Sequence, residues 1–140
     1  MSQMSILFVC YGNTCRSPMA EGLAKLILGH KERIESAGLV PFFEGAAPEA
    51  IQVLRDSFNS DISLHRTRNI EDVKLDDFDH IVVLDVNVHE ALKTRYPALL
   101  NRFILWNIQD PFGKDLESFR KTAKKIHTMI EKHLVPLYSE

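Results

Sequence analysis

VCYGNTCRSP, residues 9–18, is the stretch on which the fold turns. It closes an unbroken apolar run, Ile6–Cys10, of the kind found in strands buried on both faces. Gly12 and Asn13 follow, residue types that tolerate positive φ. Ser17 suits a helix N-cap and Pro18 the first helical position. The stretch therefore predicts a strand, a tight loop and a helix. A helix start presents unpaired N–H groups and partial positive charge, and a loop curled over it adds further N–H groups. Arg16 contributes a planar fork that matches two phosphate oxygens. The combination is an oxyanion cradle with Cys10 at its base. The nucleotide-binding loop Gly-x-x-x-x-Gly-Lys-Ser/Thr is absent. A free thiol has a pKa of about 8.5, and helix N-termini and nearby cations bring it to roughly 3.5–7.5. Such a thiolate is a nucleophile. Ser17 is placed either to hydrogen-bond it or to cap the helix.

Outward from this stretch, the 140 residues predict one domain over 1–140 with a single core. Apolar content of 45% and charged content of 26% argue against disorder. The net charge of −2 gives no basis for a nucleic-acid or membrane partner. No apolar run reaches the length of a membrane span, and MSQMSILFVC lacks the features of a signal peptide. Two cysteines, Cys10 and Cys15, make no disulfide framework, so a reducing cytoplasmic setting is expected. They are also too few for a structural zinc site. Cys15 has two readings: partner to Cys10 in a reversible disulfide, or a buried inert thiol.

Periodicity predicts an irregular start over Met1–Met4, strands at Ser5–Cys10, Arg33–Ala37, His80–Asp85 and Arg102–Trp106, and helices at Pro18–Gly29, Pro48–Phe58, Val88–Tyr96 and Leu116–Leu134. A short helix is expected near Ile70–Leu75, and Pro136 limits the last long helix. Alternating strands and helices imply an α/β fold with a parallel sheet covered on both faces. Ligands bind such sheets beyond the carboxyl ends of their strands. Cys10–Arg16, Asp85 and Asp110 all fall at that end. Asp110-Pro111 alone is a common turn. At the mouth of a crevice holding a thiolate, Asp110 becomes a candidate general acid for a leaving oxygen.

These residues match a known pattern. The run from Val9 to Glu21 resembles the signature of the low-molecular-weight protein tyrosine phosphatases. SAG at 36–38, DISLHRTR at 61–68, VVLD followed by Asn87, and DPFG at 110–113 fall in the family's order, covering nearly the whole chain. The resemblance implies a four-stranded parallel sheet in the order 2-1-3-4, flanked by helices. It implies Cys10 as nucleophile and Asp110 as general acid, then base. The N–H groups of Tyr11, Gly12, Asn13, Thr14, Cys15 and Arg16, with the Arg16 side chain, would hold the phosphoryl oxygens. Asn13, Ser17 and His65 would keep the loop in shape, and no metal or cofactor is implied. Phosphorylated proteins or small phosphomonoesters would be the substrates and inorganic phosphate the product.

Departures from the pattern concern the pocket rim. Phe112-Gly113 stand where vertebrate members have two tyrosines, and the 38–48 loop, with its two exposed-looking phenylalanines, is unlike the usual Pro-rich version. Phe42 and Phe112 are the expected rim aromatics. Thr14 stands where tyrosine-specific members usually carry Ile, and Thr14 with DPFG resembles the bacterial protein-arginine phosphatases of the same fold. The expected function is phosphotyrosine hydrolysis through a phosphocysteine, with phosphoarginine hydrolysis as the alternative. An arsenate reductase, the less favoured alternative, shares the loop but passes electrons along further cysteines; residues 16–140 contain none, so it would have to use an external thiol. A non-catalytic phosphate-binding module would lack the nucleophile or the acid, and both are present.

Overall fold

The computed structural model describes residues 4–29 and 32–138. The irregular start expected over Met1–Met4 lies, save for Met4, outside them. The sheet has four parallel strands in the order β2-β1-β3-β4, namely β1 Ser5–Cys10, β2 Arg33–Gly38, β3 His80–Val83 and β4 Phe103–Leu105. Among the described residues five α-helices accompany it: α1 Arg16–Leu28, α2 Pro48–Phe58, α3 Val86–Arg95, α4 Leu116–His133 and α5 Val135–Tyr138. β1 is central and buried along its whole length, as its apolar run predicts.

Successive side chains of a strand point to opposite faces. Ile6 and Phe8 accordingly join a core with α1, α2 and α4, where Phe8 meets Trp106 at 6.1 Å between ring centroids. Leu7 and Val9 join a second core on the other face with Val88 and Leu92 of α3. The two cores clamp β1 from both sides, so its carboxyl end at Cys10 has little freedom to move.

The element boundaries depart from expectation in instructive ways. Helix α1 starts at Arg16 with Cys15 as its N-cap, two residues before the predicted start. Ser17 is therefore not an N-cap. Pro18 falls within the first turn, where a missing N–H costs nothing. β3 stops at Val83, and Asp85 caps α3 by accepting from the N–H groups of Asn87 and Val88 at 2.9 and 3.2 Å. The short helix expected near Ile70–Leu75 is two 3₁₀ turns, Ile70–Asp72 and Leu75–Asp77. α4 ends at His133, and Pro136 sits inside the short α5 that follows.

Gly38, opposite Cys10 in the β1–β2 register, must be glycine. A Cβ there would lie 2.8 Å from the Asn13 nitrogen and 2.9 Å from the Gly12 carbonyl carbon, both backbone atoms. The end of β2 thus packs directly beneath the loop over residues 11–15.

Cys15 is buried in the larger core, and burial, then the nearby Asp110 and Cys10, pushes its thiol up to about 12. An unfolded thiol titrates near 8.5. Between these values the unfolded chain has lost a proton that the folded chain keeps. The Cys15 contribution to stability is therefore complete below about pH 8.5 and is lost as pH rises above it, at about 1.4 kcal/mol per pH unit. Urea melts from pH 8 to 11 should show a fall in stability that is shallower by about this slope in Cys15→Ala. Parallel curves would mean that Cys15 titrates alike in both states.

Candidate active site

The loop between β1 and α1 turns on Asn13, which holds φ at 54°. Its backbone N–H donates to Cys10 Sγ at 3.3 Å. Its side-chain amide donates to Ser17 Oγ at 2.8 Å and Ser36 Oγ at 3.0 Å, and its Oδ1 accepts from the Arg68 N–H at 2.9 Å. Ser17 Oγ lies 3.0 Å from Cys10 Sγ. Because the helix starts early, the Ser17 hydroxyl faces the sulfur. Sequence left both roles open for Ser17, and the geometry assigns it to the thiol.

His65 is packed against this loop, with its side chain 7% exposed. Its Nε2 lies 3.1 Å from the Asn13 carbonyl oxygen. A carbonyl only accepts, so Nε2 carries the proton and Nδ1 faces Glu21 Oε1 at 3.9 Å. Burial holds the imidazole below its ordinary pKa, partly offset by the Asn13 bond and Glu21. Glu21 and Ser36 were absent from the candidates read in sequence. Ser36 donates to Glu21 Oε1 at 2.6 Å, and Lys25 donates to Glu21 Oε2 at 2.6 Å. Glu21 follows the loop in the quoted signature, and Ser36 opens SAG, so both lay inside stretches already singled out.

Arg16 is 3% exposed. Its Nη1 donates to the carbonyls of Leu84 and Ile108 at 3.1 and 2.8 Å and to Asp85 Oδ2 at 3.0 Å. Its Nη2 lies 3.6 Å from Asp110 Oδ2. Its Nε is buried with no hydrogen-bond partner among the described residues. The ends of β1, β3 and β4 thus meet at one guanidinium. Asp110 is half-exposed and accepts from the Phe112 N–H at 3.0 Å, the turn that Asp-Pro predicts.

Cys10, Tyr11, Gly12, Thr14, Cys15, Arg16, Phe42, Asp110 and Phe112 line a pocket of about 170 Å³ together with Phe43. The rim contact is between Phe43 and Phe112, stacked at 5.7 Å and 28°. Phe42, expected at the rim, is there as well, 74% exposed. Thr14 Oγ1 donates to the Gly12 carbonyl at 3.1 Å. No group of three or more metal-ligating side chains suited to an ion occurs among the described residues. No helix among them is long and apolar enough to cross a membrane.

A buried guanidinium, a loop braced around the buried Cys10 and a carboxyl at the mouth suit binding and cleavage of a tetrahedral oxyanion ester. The comparisons with known proteins agree. Arsenate reductase 1 of Staphylococcus saprophyticus is 33% identical over 94% of this chain and 97% of its own. The low molecular weight protein tyrosine phosphatase from T. tengcongensis is 32% identical, with a TM-score of 0.84 over 96% of this chain and 99% of its own. The YwlE arginine phosphatase from Geobacillus stearothermophilus is 28% identical, with a TM-score of 0.84 over 96% of this chain and 92% of its own. The family model described as low molecular weight phosphotyrosine protein phosphatase matches residues 5–140, and the chain belongs to that family of phosphohydrolases.

Proposed function

We propose that the protein hydrolyses protein phosphotyrosine through a phosphocysteine on Cys10, with Asp110 as general acid and then base. The observation that carries this reading is Arg16. It is buried, fixed at Nη1 by three acceptors, and left with an unpaired Nε in the same pocket as Cys10. A buried N–H without an acceptor costs about 1–3 kcal/mol, and a phosphoryl oxygen would relieve that cost. The N–H groups of residues 11–16 supply further donors.

In the first step the Cys10 sulfur attacks phosphorus. The S–P bond forms, the P–O bond breaks, and Asp110 gives its proton to the leaving oxygen. In the second step water attacks phosphorus, Asp110 takes the water's proton, and the S–P bond breaks to release inorganic phosphate. The Ser17 hydroxyl steadies the departing thiolate. A reducing cytoplasm would keep that thiol available.

Phosphoarginine is the second reading, favoured by Thr14 and by the likeness to an arginine phosphatase. Because the Thr14 hydroxyl proton is used on Gly12, its lone pairs remain as acceptors within the pocket. Arsenate reduction, the activity in the name of the Staphylococcus relative, would need two electrons from further thiols. This chain offers Cys15 alone besides Cys10, and that thiol is held protonated to about pH 12.

Cys10→Ser should abolish turnover of para-nitrophenyl phosphate while vanadate binding largely survives, because the donors of the cradle remain. Rapid-quench trapping should show a phosphocysteine in the wild type, and appreciable turnover by Cys10→Ser would refute the mechanism.

Asp110→Asn should slow phenyl phosphate far more than an ester with a very acidic leaving group, which needs little protonation. Equal losses on the two esters would remove Asp110 from the acid role.

Thr14→Ile separates the two substrates. If Thr14 accepts from a guanidinium, the substitution leaves a buried donor unpaired. kcat/KM for phosphoarginine should then fall roughly five- to 150-fold more than for phosphotyrosine. Equal small changes would assign the site to phosphotyrosine.

A further inference from the structure

A second and larger cavity, about 590 Å³, lies between α1 and the segment 59–68 and shares no lining residue with the pocket at Cys10. Its volume falls in the range of small-molecule sites. Lys25, Arg66 and Arg68 line it against two carboxylates, Glu21 and Asp61, in a protein whose net charge is negative. Arg68 is engaged by Glu35. Arg66 is 86% exposed and only 3.9 Å from Glu44, which leaves most of its fork free. Leu26 and Leu64, 51% and 90% exposed, offer an apolar edge for a carbon skeleton.

We propose that this groove is a regulatory site for a small molecule carrying two or more anionic groups, whose binding slows the reaction at Cys10. The proposal rests on the phosphohydrolase reading above. The connection is a continuous chain of hydrogen bonds. Lys25 donates to Glu21, Ser36 donates to Glu21, Asn13 donates to Ser36 and to Ser17, and Ser17 meets the Cys10 sulfur. An anion seated between Arg66 and Lys25 competes with Glu21 for the ammonium. With Lys25 drawn to the anion, His65 takes a proton from solvent on Nδ1, 3.9 Å from Glu21 Oε1, and that oxygen turns from the Ser36 hydroxyl to the imidazolium. Asn13, whose positive φ is braced by its side-chain bonds, then holds the loop less firmly. The ligand favours the state with Lys25 free, and that difference in affinity is what shifts the population. The loss falls on kcat because no group in the substrate pocket is blocked.

The test is para-nitrophenyl phosphate hydrolysis at constant ionic strength, titrated with citrate in one arm and with fructose 1,6-bisphosphate in the other. At saturation kcat should fall about fivefold with KM unchanged, the low end of ordinary coupling between sites. Arg66→Glu should raise the concentration needed by roughly tenfold, the effect of losing one charge contact. Amide NMR shifts should move at Gly22, Leu26 and Ile62. The arm that acts tells a carboxylate ligand from a phosphate one. Inhibition through KM alone would put the anion in the cradle and overturn the proposal. So would no inhibition in either arm, unmoved groove amides, or equal inhibition of Arg66→Glu. Turnover without either anion reports on the phosphohydrolase reading by itself, so the failure of one is distinguishable from the failure of the other.

Discussion

Asn13 holds its backbone at φ 54°, and the rest of the site depends on that one conformation. A left-handed backbone costs a non-glycine residue about 1–2 kcal/mol. The cost is offset by anchoring every polar group of the residue: the amide on Ser17 and Ser36, Oδ1 on the Arg68 N–H, the carbonyl on His65, and the N–H on the Cys10 sulfur. These partners come from β1, β2, α1 and the 65–68 segment. The loop is therefore rigid because the tertiary structure over-determines it. Gly38 completes the constraint by allowing β2 to approach so closely that no side chain fits beneath Asn13.

Arg16 is the electrostatic counterpart. Burying a guanidinium is costly unless its donors are paired and its charge balanced. Leu84 and Ile108 supply carbonyls, Asp85 and Asp110 supply charge, and all four lie at or just beyond the carboxyl ends of β3 and β4. Asp85 serves two ends at once, capping α3 with Oδ1 and holding Arg16 with Oδ2. The orientation of the fork is thus set by the sheet, and its Nε is left buried without a hydrogen-bond partner among the described residues.

Local chemistry made much of this legible. The apolar Ile6–Cys10 run, the Gly12-Asn13 pair, Arg16 and Asp110-Pro111 each carry their meaning within a few residues. Glu21 and Ser36 were not legible as partners, because a Glu in an amphipathic helix and a Ser in a strand are ordinary until the fold places them 2.6 Å apart. Ser17 looked like an N-cap because its local context fits one. The helix begins earlier, since Cys15 and Arg16 are drawn into the first turn by the buried contacts of the loop. For His65 only the family resemblance suggested a place beside the loop, and packing against Asn13 buries it there. Phe42 was the rim aromatic expected from sequence and does line the pocket, but the stack on Phe112 is made by its neighbour Phe43.

By itself, then, the sequence determined the order of strands and helices, the parallel sheet and the nature of the cradle, because periodicity, turn chemistry and charge act over short distances along the chain. Only the tertiary structure decided which groups brace the loop, which hydroxyl faces the sulfur, and which side chains line a second groove. Several of these contacts join residues far apart in the chain, such as Ser36 with Glu21 and Arg16 with Ile108, and the nearer contact of Ser17 with Cys10 depends on where the helix starts. No local pattern encodes them, and they exist only once the two cores have closed around β1.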